Sequence, residues 1–191
     1  MLKGFGYAVN TSNGQISLMG GGELNACDIE VPSDISSAAF FIVAASIAKE
    51  ADITLNAVNI NPTRTGILDI LALMGANITL TDERVIAGEL VADIHVCSAE
   101  LRGIDIPQKL IPLAIDEFPV IFIAASCAHG ETLLTGAREL RVKESDRIQV
   151  MADGLLSLGI ENKVLEDGIR IKGGEFQKQT SIINSHHDHR I

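Results

Sequence analysis

The sequence predicts an α/β fold (α+β in stricter schemes) made of a repeated βαβαββ unit, with mixed sheets and buried helices. Three observations carry this. Two stretches place apolar residues at helical spacing and end alike, on L-x-x-[LM]-G, at Leu71–Gly75 and Leu155–Gly159. Each is followed by an alternating, strand-like stretch that contains a turn. Two further stretches open on aspartate, run through small and apolar residues, and lead into a strand. The period is roughly eighty residues, a length that fits one supersecondary unit repeated.

In chain order, GYAVNTSNGQISLMGGG (6–22) reads as two strands joined by Asn13-Gly14, a strong tight-turn pair. DISSAAFFIVAASIA (34–48) follows; its apolar run 35–48 is too short to span a bilayer and reads as a buried helix capped by Asp34. ADITLNAV (51–58) is a strand. In NPTRTGILDILALMGA (61–76), Ile67, Ile70, Leu71 and Met74 lie on one helical face, with Asn61-Pro62 expected to start the helix and Gly75 to end it. ANITLTDERVIAG (76–88) is an alternating, strand-like stretch with a turn. The second unit repeats the pattern: DEFPVIFIAASCA from Asp116, ETLLTGA (131–137), ESDRIQVMADGLLSLGI (144–160) and IENKVLEDGIRIKGG (160–174). Asp188 opens DHRI as a third start. A helix of one turn is not stable, so the chain reads as a piece of a longer protein.

Composition narrows the function classes. Of 191 residues, 47% are hydrophobic and 21% charged, with no tryptophan and one tyrosine, so the core is expected to be aliphatic. A formal net charge of −10 argues against nucleic acid as a general partner. Cys27, Cys97 and Cys127 are odd in number and widely spaced, which points to a reducing compartment and no structural zinc. MLKGFGYAVN lacks an apolar core of signal-peptide length. A cytoplasmic protein with no membrane partner is expected.

Chemistry concentrates in RELRVKESDR (138–147), which places four cations and three anions at the mouth of the second amphipathic helix. In a helix, Lys143, Glu144 and Arg147 would share a face. A helix N-terminus with a lysine point charge and an arginine fork suits a phosphate or carboxylate, and Glu144 beside them suggests proton transfer. Spacing alone leaves a solvated, salt-bridged helix start equally open. Asp116 is read from its position as a cap or as a base held at a helix mouth. Asp188 is read as a cap that lets His189 and Arg190 project toward a ligand. Arg64 is expected to be exposed or capping, and His95 and His129 to lie at the surface. A metal site on His187 and His189, or on His186 and Asp188, lacks a partner motif.

These residues carry a resemblance. VPSDISSAAFF (31–41), NPTRTG (61–66), IDEFPV (115–120), LRVKESDR (140–147) and DHRI (188–191) resemble the 5-enolpyruvylshikimate-3-phosphate synthase family, in order and in spacing. Ser33 departs from it, since the family often has glycine there. The resemblance implies an enolpyruvyl transferase-like fold: two similar domains, each of three βαβαββ units around a pseudo-threefold axis, with substrates between them. Residues 1–30 would be the tail of the N-terminal domain and 31–191 the C-terminal domain, truncated in its last unit. It implies transfer of the enolpyruvyl group of phosphoenolpyruvate to the 5-hydroxyl of shikimate 3-phosphate, with release of phosphate and no metal or organic cofactor.

It also implies roles. Asp116 would order the shikimate hydroxyls and accept a proton, and Glu144 would carry the proton to the methylene carbon. Lys143 would lie against shikimate 3-phosphate. Arg147 and Arg190 would hold phosphoenolpyruvate, with His189 nearby. The family's N-terminal lysine, serine-rich loop, a further arginine and a C-terminal lysine have no counterpart here, so the missing N-terminal domain is an expected partner and this chain alone is not expected to turn over. The rival readings are a UDP-sugar enolpyruvyl transferase and a non-catalytic anion-binding module.

Overall fold

A computed structural model describes residues 2–86, 88–176 and 182–191. The N-terminal stretch forms a hairpin of β1 (Val9–Ser12) and β2 (Gln15–Leu18). Ser12 pairs with Gln15, and Asn13 and Gly14 turn the chain with φ of 48° and 76°. Both central residues are thus left-handed, as the Asn-Gly signal requires.

Two units of the same topology follow. The first runs α1 (Ile35–Ile47), β3 (Asp52–Asn59), α2 (Gly66–Leu73), β4 (Asn77–Ile86) and β5 (Glu89–Cys97). The second runs α3 (Phe118–Cys127), β6 (Glu131–Leu134), α4 (Arg147–Ser157), β7 (Asn162–Val164) and β8 (Ile169–Lys172). Their sheets have matching orders, β3-β5-β4 and β6-β8-β7, with antiparallel neighbours. The leading strand of each expected unit is reduced to parallel bridges: Ser33 to Val58 in the first, Arg102 to His129 and Asp105 to Leu133 in the second. Pro32 has no N–H to extend the ladder before Ser33. Gly103 packs so tightly on the Glu131 backbone that a Cβ would come within 2.2 Å of its carbonyl oxygen.

The helices cover the sheets and share one apolar core. Ile42 of α1, Ile67 and Ile70 of α2, Phe118 and Phe122 of α3, Leu155 of α4 and Ile94 of β5 are all buried. The Phe118 and Phe122 rings stand 5.9 Å apart in a tilted contact, a favourable geometry for aromatic pairs. The buried-helix reading of 35–48 holds for one side of α1. Its other side shows Phe40 and Phe41, because no described element lies over them. Among the described residues, no helix is long and apolar enough to cross a membrane.

Three local expectations are corrected. The helix expected from Asn61 begins at Gly66. Asn61 Oδ1 instead accepts from the Thr63 N–H at 3.0 Å and its hydroxyl at 2.8 Å, closing a separate turn. Gly66 must be glycine, since a Cβ would meet the Leu113 carbonyl carbon at 2.7 Å. The helix expected from Glu144 begins at Arg147, capped by Asp146, which accepts from the Gln149 N–H at 3.0 Å. Residues 138–142 form a 3₁₀ turn and Lys143 is extended. Of the three aspartates read as helix caps, only Asp34 caps a helix, accepting from the Ser37 N–H at 2.9 Å and the Ser37 hydroxyl at 3.1 Å. Gly75 and Gly159 close their helices with φ of 91° and 85°, as expected.

Candidate active site

The mouths of α1, α3 and α4 come together with the turn before α2, and polar side chains bridge them. Each helix mouth also brings unpaired N–H groups and the positive end of its dipole to this point. Asp116, just ahead of α3, is the hub. Its Oδ1 lies 3.4 Å from Arg147 Nη1 and 3.9 Å from Lys143 Nζ. Its Oδ2 lies 3.8 Å from both Arg64 Nη2 and Arg190 Nη2. Four cations therefore surround one half-exposed carboxylate. Asp116 does not cap α3, because that helix starts at Phe118 after Glu117, with no side-chain cap.

Arg147 is the most enclosed of the four, with only 2% of its side chain exposed. Its Nη2 donates to Glu144 at 2.6 Å, so those two side chains meet without the helix that spacing had suggested. Its Nε donates to Asp188 Oδ2 at 2.9 Å. Asp188 is equally buried and also accepts from the Ser145 hydroxyl at 2.9 Å and the Arg190 N–H at 3.0 Å. Burial alone would raise the Asp188 carboxyl. The hydrogen bonds from Arg147, Arg190 and Ser145 outweigh it and hold the group below its ordinary value. Burial likewise works against the Arg147 charge, yet its bonds to Asp188 leave the guanidinium bound to its proton more firmly than usual. Asp188 is thus a pin for Arg147 and for its own turn, and no helix follows it among the described residues.

The remaining cations keep donors to spare. Arg190 Nη1 and Nη2 stand 3.8 Å from their carboxylates, beyond hydrogen-bond length, and its buried Nε has no partner among the described residues. Lys143 Nζ is held by Glu139 at 2.7 Å. Glu144 keeps half of its side chain in solvent. His189 is exposed, as are His186, His187 and His129; His95 is partly exposed and hydrogen-bonded to Asp52 at 2.8 Å.

Sequence reasoning undervalued three residues. Arg64 is half-exposed, as expected, but it is turned inward and donates to the Ser36 hydroxyl at 3.0 Å. Ser36, in the first turn of α1, donates in turn to Glu117 Oε1 at 2.5 Å. Glu117 is 2% exposed. Burial pushes its carboxyl above the usual value; Ser36, Arg64 and Arg190 oppose this, and Asp116 adds to it. The available signals were a serine in an otherwise apolar helix, and an arginine ahead of α2 where the repeat places Lys143 and Glu144 ahead of α4.

Comparisons with known proteins identify the family and the fold. The family model described as EPSP synthase (3-phosphoshikimate 1-carboxyvinyltransferase) matches residues 1–191. A curated 3-phosphoshikimate 1-carboxyvinyltransferase from Vesicomyosocius okutanii is 71% identical over the whole chain, and one from Ruthia magnifica is 69% identical. The chain spans 44% of the length of each. Among solved structures, an EPSP synthase from Acinetobacter baumannii superposes with a TM-score of 0.91 at 57% identity, over 99% of this chain and 44% of that one. The enolpyruvyl transferase NikO from Streptomyces tendae shares the fold alone, with a TM-score of 0.60 at 17% identity, over 90% of this chain and 38% of that one. From helix mouths to motif order, then, what was read as a resemblance is membership: the chain belongs to the EPSP synthase family.

Proposed function

We propose that this chain forms one wall of an active site that transfers the enolpyruvyl group of phosphoenolpyruvate to the 5-hydroxyl of shikimate 3-phosphate, the step of the shikimate route that precedes chorismate and the aromatic amino acids. Residues 31–191 are most of one domain, and residues 1–30 are the end of the domain that closes over it. The protein works in the cytoplasm on its two phosphorylated substrates. The observation that carries this reading is Asp116 encircled by Arg64, Lys143, Arg147 and Arg190 at 3.4–3.9 Å. One carboxylate that can take a proton sits among cations that can hold anions, which is what joining two anionic substrates demands.

The steps follow from these groups. Glu144 delivers a proton to the methylene carbon of phosphoenolpyruvate. The shikimate 5-oxygen bonds to the neighbouring carbon and gives up its proton to Asp116. The tetrahedral adduct then breaks its bond to the phosphate oxygen, which leaves as phosphate, and the methyl group returns a proton to the Glu144 carboxylate, restoring the double bond. Lys143 lies against the shikimate phosphate. Arg190, whose buried Nε has no partner among the described residues, holds phosphoenolpyruvate. Arg147 contributes to the same anion and also fixes Asp116 and Glu144 relative to each other. His189, exposed on the same turn as Arg190, approaches the substrates from the edge.

The test is a chimera in which these 191 residues replace the matching 44% of the Acinetobacter baumannii protein. Phosphate release that needs both substrates is expected, and Asp116→Asn should lower kcat by about a hundredfold or more. An inert, well-folded chimera, or an Asp116→Asn variant of unchanged rate, would overturn the reading. A UDP-sugar accepted in place of shikimate 3-phosphate would replace it with the related transferase.

A further inference from the structure

Glu117 is a buried acid with an unusual set of neighbours. Both of its cationic contacts are made by one oxygen: Oε1 stands 3.8 Å from Arg190 Nη1 and 4.0 Å from Arg64 Nη2. The same oxygen accepts from the Ser36 hydroxyl, and that hydroxyl also accepts from Arg64. The two arginines continue past it to reach Asp116 Oδ2, each at 3.8 Å. Glu117 therefore lies beneath the pair, and Asp116 lies between them at the surface. A desolvated charge this well enclosed interacts strongly with whatever cations it faces.

We infer that Glu117 is a positioning residue that, through Ser36, sets Arg64 and Arg190 on either side of Asp116, and that Arg64 is a further binding residue for an anionic group of phosphoenolpyruvate. The inference rests on the proposed transferase reading. Three features support it. Arg64 is 46% exposed at its side chain, so a substrate can reach it. Among the described residues Arg190 lacks a partner for a buried N–H, and a planar anion between the two forks would supply one. A shared buried anion also keeps two guanidiniums near each other at little repulsive cost, so the site is arranged before the substrate arrives.

Three variants of the chimera test this: Glu117→Gln, Arg64→Ala and the double variant. Arg64→Ala should raise the KM for phosphoenolpyruvate about tenfold, the loss of one charge-assisted bond, with kcat within about threefold. Glu117→Gln keeps the acceptor for Ser36 but removes the charge, and should raise the same KM by a similar factor. The double variant should be little worse than either single one, because one residue acts through the other. Thermal unfolding separates this from a structural role. The Glu117 carboxyl is raised above 4.5, so ionising it costs stability as pH climbs past that value, and the glutamine variant at pH 7 should melt no lower than its parent. An active parent whose Glu117→Gln variant keeps its KM, or whose two effects multiply fully in the double variant, would overturn the inference. An inactive parent would instead count against the transferase reading.

Discussion

Arg147 and Asp188 are joined by Nε to Oδ2 at 2.9 Å and by Nη2 to Oδ1 at 3.3 Å, both out of solvent. A buried pair of this kind is hard to break from one side, since the surviving charge is left without compensation. Asp188→Asn should cost about 3–5 kcal/mol of stability at pH 7, read from the midpoint of urea unfolding. The pH dependence has a definite sign. The folded-state value of Asp188 lies below its ordinary 3.8, so its stabilisation is complete above about that pH and is lost as pH falls through the lower, folded value. The deficit of Asp188→Asn should therefore be constant from pH 7 to about 5 and shrink only in stronger acid. A deficit that already narrows near neutrality would mean that Asp188 is not the ionised partner the geometry describes.

At the scale of elements, the caps and turns set where the site residues fall. Asp34 holds the first turn of α1 and so the direction of Ser36, two residues on. Asp34→Ala should cost about 1 kcal/mol, the usual value of an N-cap, by chemical denaturation. The site should be less well ordered as well, since Ser36 bridges Arg64 and Glu117. Asp146 does the same for α4, and Arg141 braces it at 2.6 Å. Strand irregularities serve the sheet in a parallel way. Ala57 has a φ of 52° at the bulge in β3, where its N–H donates to Asp93 at 2.8 Å, which lets Val58 continue the pairing and bridge Ser33 beside α1.

For the whole molecule, the cluster lies at the surface, with the Arg64 and Glu144 side chains each about half exposed. Catalysis of this kind needs both substrates held in one orientation and water kept out. The chain spans 44% of the length of its curated relatives, and on the proposed reading the rest of such a protein supplies the opposing wall. Assayed alone with both substrates, it should release no phosphate above background. Turnover comparable to the chimera would show that these residues suffice.

The sequence by itself determined the repeated unit, its mixed sheets, the amphipathic faces of α2 and α4, the Asn13-Gly14 turn and the family, because periodicity and motif spacing are local properties of the chain. It also named Asp116, Lys143, Glu144, Arg147 and Arg190, because their residue types suit anions and protons and they fall inside recognisable motifs. Only the tertiary structure decided that Asp116 and Asp188 bind cations instead of capping helices, and that Arg64, Ser36 and Glu117 join them. Those contacts link residues as far as 81 positions apart, Ser36 to Glu117 among them. A carboxylate at a helix mouth looks the same in sequence whether it faces a free N–H or a neighbouring guanidinium. Which it faces depends on how the helices pack, and that is fixed by the shared apolar core and not by the local order of residues.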